Sequence, residues 1–108
     1  MGAVITVLFS PAESSVHDFD RLLSDLGALI RTDPPDGMDS MSIQRTDRGA
    51  VIVQARWRSA ADQRAFRTSP EGSRIFRAMS ECCPEPPQTY VGTEDAALSY
   101  YGVKQPKP

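Results

Sequence analysis

The stretch VIVQARWRSAADQRAF, residues 51–66, decides how the rest of the chain is read. Its first half is β-branched and alternates. Val51, Val53, Ala55 and Trp57 project to one side of an extended chain, and Ile52, Gln54, Arg56 and Arg58 project to the other, as a side-chain period of two requires. From Ser59 the pattern turns helical: Ser59 and Asp62 make a capping pair, and Ala61, Ala65 and Phe66 begin an apolar stripe at helical spacing. The only tryptophan of the chain, Trp57, therefore stands where a strand hands over to a helix.

Upstream, Met38 to Arg45 alternates loosely and Thr46-Asp47-Arg48-Gly49 has hairpin-turn composition, so these residues and Ala50 to Arg58 form an antiparallel pair. Thr32-Asp33-Pro34-Pro35-Asp36-Gly37 is a loop, because paired prolines lack donors and push the residues before them toward extended geometry. Before it, Val16, Phe19, Leu22, Leu23, Leu26, Leu29 and Ile30 recur at steps of three and four, giving a helix with one apolar face. Ser10, Pro11 and Glu13 supply an N-cap, a proline at the first helical position and a returning carboxylate, which predicts that this helix begins at Ser10. Ala3 to Phe9 is a short Val/Ile-rich strand.

Downstream, Ser69-Pro70-Glu71-Gly72 interrupts the second helix, Ile75, Phe76 and Met79 resume its apolar side, and Pro84, Pro86 and Pro87 stop it. Gln88 to Gly92 reads as a fourth strand. Ala96 to Val103, with Leu98, Tyr100 and Tyr101, is a fifth strand or an arm ahead of a Pro/Lys tail. The order is β-α-β-β-α-β, an α+β ferredoxin-like antiparallel sheet in a domain over residues 1–95, followed by an arm and tail over 96–108.

Two helices cover one face of a four-stranded sheet. If the Val51, Val53, Ala55, Trp57 set lay open to water it would form a larger apolar patch than monomers tolerate, so a face-to-face homodimer is expected, with the C-terminal tyrosines clasping the neighbour. The alternation alone leaves open which set faces the helices.

At 108 residues and 40% apolar content the chain is expected to be one soluble domain. Twelve basic against fourteen acidic side chains give a net charge of -2, which offers no general attraction for nucleic acid or anionic membrane. The apolar start lacks a basic leader and is too short to span a bilayer, so a cytoplasmic location is expected. Cys82 and Cys83 are adjacent and read as reduced packing residues at a helix end. One histidine and unpatterned carboxylates predict no metal site.

The strand-ending "VIVQARWRS", the following "AADQRAFRTSPEGSRIF" and the late "PPQTYVG" resemble the antibiotic biosynthesis monooxygenase domain, in which a tryptophan closes the third strand and a helix with a phenylalanine and a Ser-Pro break comes next. The likeness runs from residue 3 to about 95. It implies a dimeric α/β barrel with a pocket in each subunit between sheet and helices. It further implies oxidation of phenol- or anthrone-type, polyketide-like aromatics by dioxygen without metal, flavin or other cofactor. Such chemistry asks the protein to exclude water, hold the ring and favour its anion, since the deprotonated substrate is its own reductant.

On that resemblance Trp57, Gln54, Arg77 and His17 are candidate catalytic residues: Trp57 to stack on the ring, Gln54 and Arg77 to donate hydrogen bonds, and His17 as a base of near-neutral pKa. Ser42, Val53, Phe66, Phe76 and Tyr90 are the candidate substrate contacts. Each has a plainer rival. Trp57, Phe66 and Phe76 suit a core, Gln54 and Arg56 a solvated strand face, and Arg67, Arg74 and Arg77 a helix surface where they pair with Glu71, Asp62 or Glu81. Val53 occupies the place of an asparagine that quinone-forming members carry four residues before the tryptophan, and valine can neither donate a hydrogen bond nor orient an oxyanion. Haem-degrading relatives bind iron through a histidine on the next helix, and none stands between Ala60 and Met79, which argues against haem. A polyketide cyclase and a non-catalytic dimeric binding module are the alternatives. A filled interior with no ligand-sized void is what the module predicts.

Overall fold

In the computed structural model, which describes residues 2–94, β1 (Ala3–Phe9) is followed by a 3-10 turn (Glu13–Ser15) and α1 (Val16–Thr32). The antiparallel strands β2 (Met38–Arg45) and β3 (Val51–Trp57) come next, then α2 (Ala60–Thr68), α3 (Pro70–Glu81) and β4 (Gln88–Thr93). The sheet has the order β2-β3-β1-β4 with every neighbour antiparallel, which is the ferredoxin-like arrangement. The expected fifth strand or arm lies outside the described residues.

The β2–β3 turn closes as its composition predicts. Gly49 takes a positive φ of 81°, and the Thr46 hydroxyl accepts hydrogen bonds from the amides of Arg48 and Ala50 at 3.3 and 3.1 Å.

The helices cover the Val51, Ala55, Trp57 side of β3. These three are buried, as are Ala3, Ile5, Val7 and Phe9, which point the same way from β1. Phe19, Leu23 and Leu26 of α1 and Ile75 and Met79 of α3 close the core from above. Phe9 is its hinge, with ring centroids 5.4 Å from Phe19 and 5.6 Å from Phe76. The opposite face carries Val4, Thr6, Leu8, Ile52, Gln54 and Arg56, so the most apolar set of the sheet is turned inward and a mixed set is left uncovered.

Two boundaries differ from expectation. The first helix does not start at Ser10. Ala12 is extended, at φ -63° and ψ 146°, and its amide donates to the Cys82 carbonyl at 2.9 Å, so the segment is tied to the end of α3 and turns helical only from Glu13. No side chain caps either the 3-10 turn or α1, and Val16 is 39% exposed rather than part of the core stripe. The interruption at Pro70 is a complete break. The Ser69 hydroxyl donates to the Phe66 carbonyl at 2.6 Å and accepts from the Gly72 amide at 3.1 Å, ending one helix and capping the next, with Pro70 at the first helical position.

Gly72 is buried at this break, and a Cβ there would collide with the Phe66 carbonyl oxygen. Because the obstacle is backbone, it cannot rotate away. Gly72→Ala is expected to destabilise the fold by about 1–3 kcal/mol, the usual range for overpacking, while Ser73→Ala beside it has little effect. Chemical denaturation of the two variants checks this.

Candidate functional site

Trp57 ends β3 opposite Ala3 and Met38 and is 2% exposed. Its position is fixed by the residues just after it in the chain. The Arg58 amide donates to the carbonyl of Gly37, itself at a positive φ of 82°, at 2.7 Å, tying the strand end to the loop before β2. One residue on, the Ser59 hydroxyl accepts from the Asp62 amide at 3.2 Å and donates to the Asp62 carboxylate at 3.0 Å. Arg58 grips the same carboxylate with two nitrogens at 2.9 and 3.0 Å. These bonds hold the Asp62 carboxyl below the ordinary aspartate range and raise Arg58 above its own. The capping pair expected at Ser59 and Asp62 is thus present, and Arg58 completes it.

The strand-to-helix turn brings Phe66 over Trp57, ring centroids 5.8 Å apart and tilted by 34°. Beneath the helices lies a cavity of about 100 Å³, open on one side. Trp57, Val53 and Ala55 of β3 form part of its floor, and Phe66, Ile75 and Phe76 part of its roof. Met38, Met41 and Met79 also face it, so all the methionines of the chain apart from Met1 lie in its wall. The lining is apolar except for Gln63, Arg67 and Thr89, and among the described residues Arg67 is its one charged member.

Four of the nine candidate residues therefore meet here: Trp57, Val53, Phe66 and Phe76. The other five lie elsewhere. Ser42, Gln54 and Tyr90 share a row across the uncovered face of the sheet through Thr6, and Gln54 donates to the Thr6 hydroxyl at 3.1 Å. Tyr90 is 59% exposed and its hydroxyl donates to Gln88 at 3.1 Å. Since side chains alternate along β3, the inward turn of Trp57 sends Gln54 outward. Arg77 is exposed on the outer flank of α3 beside Arg74, and His17 is exposed in the first turn of α1. Neither lines the cavity.

Arg67 is the group that the sequence pattern misplaces. Instead of standing on a solvated face with an acidic partner, it is half-buried and its guanidinium carbon sits 3.5 Å from the centroid of the Phe76 ring. The signal lies in the spacing: Phe66 and Arg67 stand three and four residues after Gln63, so both neighbour it on one helix face. Cys82 is buried and Cys83 half-buried, both as free thiols that burial pushes above the usual cysteine range. Among the described residues no cluster of His, Cys, Asp or Glu could hold a metal ion, and no helix is long and apolar enough to cross a membrane.

The sequence matches no protein-family model and no curated protein. Solved structures do match. The monooxygenase of the ActVA-Orf6 gene of Streptomyces coelicolor, solved with the ligand nanaomycin D, superposes with a TM-score of 0.74 at 24% identity, covering 93% of each chain. The cofactor-independent oxygenase SnoaB of Streptomyces nogalater gives 0.74 at 12% identity, over 92% of this chain and 98% of its own. Other matching structures are assigned to the antibiotic biosynthesis monooxygenases. This is the fold of the antibiotic biosynthesis monooxygenases. A dimeric ferredoxin-like protein of unknown function from a Jannaschia species shares it, with a TM-score of 0.75 at 11% identity, over 87% of this chain and 100% of that one.

Because the Asp62 carboxyl is depressed in the folded state, its contribution is complete above the unfolded aspartate value and fades as pH falls through the folded one. Asp62→Asn is expected to lower Tm at neutral pH, with the gap to the parent closing in acid. Melting curves from pH 7 down to about pH 2, spanning the ordinary aspartate value, check this.

Proposed function

We propose that the chain is a cofactor-independent monooxygenase that oxidises a phenol- or anthrone-type, polyketide-like aromatic with dioxygen. The observation that carries this reading is the apolar cavity between sheet and helices, with Trp57 in its wall. The sheet on one side and α2 and α3 on the other shield it from water except at its open side. A ring held against Trp57 and Phe66, once deprotonated, can hand an electron to oxygen unaided. For an anthrone-type methylene, one oxygen atom becomes the new carbonyl and the other leaves as water with the two hydrogens, so no external reductant is needed. The protein contributes orientation and a dry, preorganised site. SnoaB, a cofactor-independent oxygenase on the same fold, and the binding of nanaomycin D by the ActVA-Orf6 monooxygenase lend support by analogy.

We further infer a homodimer that pairs the uncovered sheet faces, placing Gln54, Ser42 and Tyr90 at the contact between protomers rather than at the chemistry. Val4, Leu8 and Ile52 supply its apolar part, and the dimeric Jannaschia protein lends support to a dimer on this fold, though not to the choice of face.

Val53 favours a second reading, a cyclase of the same fold. It lines the cavity without offering a hydrogen-bond donor, and ring closure of a poly-β-ketone consumes no oxygen.

An oxygen electrode separates the two. On mixing with an anthrone, the purified protein is expected to take up one dioxygen for each quinone formed, with the second oxygen atom released as water rather than as hydrogen peroxide. Trp57→Phe should lower the rate by about tenfold to a hundredfold, the cost of a misplaced ring, while keeping the fold. Trp57→Ala removes a buried indole and should also cost roughly 3–5 kcal/mol of stability. Ring closure without oxygen uptake would establish the cyclase, and a rate indifferent to Trp57→Phe would make the tryptophan purely structural.

A further inference from the structure

The wall of the cavity carries a cation. Arg67 reaches it from α2, stacked on Phe76, and among the described residues no carboxylate pairs with it. The acidic side chains nearest along the chain are engaged or turned away: Asp62 is held by Arg58, and Glu71 is exposed at a separate cleft beside the Asp33–Asp36 loop. Arginine does not escape burial by losing its proton, so a half-buried guanidinium against an apolar wall keeps its charge and forfeits part of its hydration. Its stacking on Phe76 recovers some of that cost and leaves the edge of the guanidinium, where its donors lie, available.

We propose that Arg67 is the counter-ion of the ligand, and that the cavity selects a planar aromatic carrying an oxyanion on its ring over the uncharged form. The proposal rests on the reading of this cavity as the substrate site and adds the charge state of what enters. Size requires that the wall give way to any ring, and most of all to a fused one. The volume of about 100 Å³ is below the ~150 Å³ in which an engineered apolar cavity takes up benzene. A ring must therefore displace side chains, and the thioethers of Met38, Met41 and Met79 are the ones able to move at little cost.

Binding of 4-nitrophenolate and of 4-nitroanisole tests this, at a pH where the phenol is fully ionised. The two have nearly the same shape, one is charged, and neither is easily oxidised, so binding is measured apart from turnover. Quenching of Trp57, the only tryptophan and part of the wall, reports occupancy. The phenolate is expected to bind about tenfold to a hundredfold more tightly than the ether, the span of a charge-assisted hydrogen bond. Arg67→Met should abolish that preference while leaving nitroanisole affinity within a few-fold, and Arg67→Lys should restore part of it. Equal affinity of the parent protein for both probes, no binding of either, or a preference that survives Arg67→Met would overturn the proposal. Anion preference without oxygen uptake from any phenol would defeat the monooxygenase reading alone. Oxygen uptake from an anthrone without anion preference would defeat only the role of Arg67.

Discussion

One layer of helices can shield only one side of a four-stranded sheet, and the choice of side governs everything else in this molecule. The choice follows from burial. Val51, Ala55 and Trp57 of β3, with Ala3, Ile5, Val7 and Phe9 of β1, present continuous apolar area, and covering it removes far more hydrocarbon from water than covering Ile52, Gln54 and Arg56 would. Once that side is inward, Trp57 must lie under the second helix and Gln54 must face away. The cavity, its aromatic wall and the separation of the candidate residues into two groups all descend from a single parity along β3.

The break at Ser69 shapes the space so defined. An uninterrupted helix from Ala60 to Glu81 would be straight, whereas Ser69 and Pro70 divide it into α2, which starts at the foot of Trp57, and α3, which carries Ile75, Phe76 and Met79 onto the sheet. Gly72 lets the two segments approach until backbone nearly meets backbone. The Phe66 carbonyl is left to the Ser69 hydroxyl and amide, so the interruption leaves its polar groups paired.

Much of this was legible in the sequence. The strand limits at Met38 and Arg45, the hairpin at Thr46 to Gly49, the cap at Ser59 and the break at Pro70 all rest on local chemistry, and local chemistry is what a sequence displays. The Ser10 start failed because a tertiary bond, from the Ala12 amide to the Cys82 carbonyl, competes with capping there, and no local pattern announces a partner seventy residues away. The site was half legible for the same reason. Periodicity placed Trp57, Val53, Phe66 and Phe76 on faces that could meet, but it could not choose the covered side, so Gln54, Ser42 and Tyr90 were grouped with residues on the opposite surface. Helical spacing alone puts Arg67 in solvent, where exposed charges usually pair with neighbours; its ring partner, Phe76, lies beyond the break and becomes a neighbour only in the folded chain.

The sulfur in the cavity wall has a chemical consequence. Thioethers yield to an incoming ring because they are soft and unbranched, and the same softness leaves them open to oxidation to sulfoxides by peroxides and related oxidants. Under the proposed reaction, any partly reduced oxygen species that strays would meet Met38, Met41 or Met79, which line the cavity, whereas the thiols of Cys82 and Cys83 lie outside its wall. Each sulfoxide would make the lining polar where a ring must pack, so a catalyst of the proposed kind would be worn out by oxidation of its own wall rather than by unfolding.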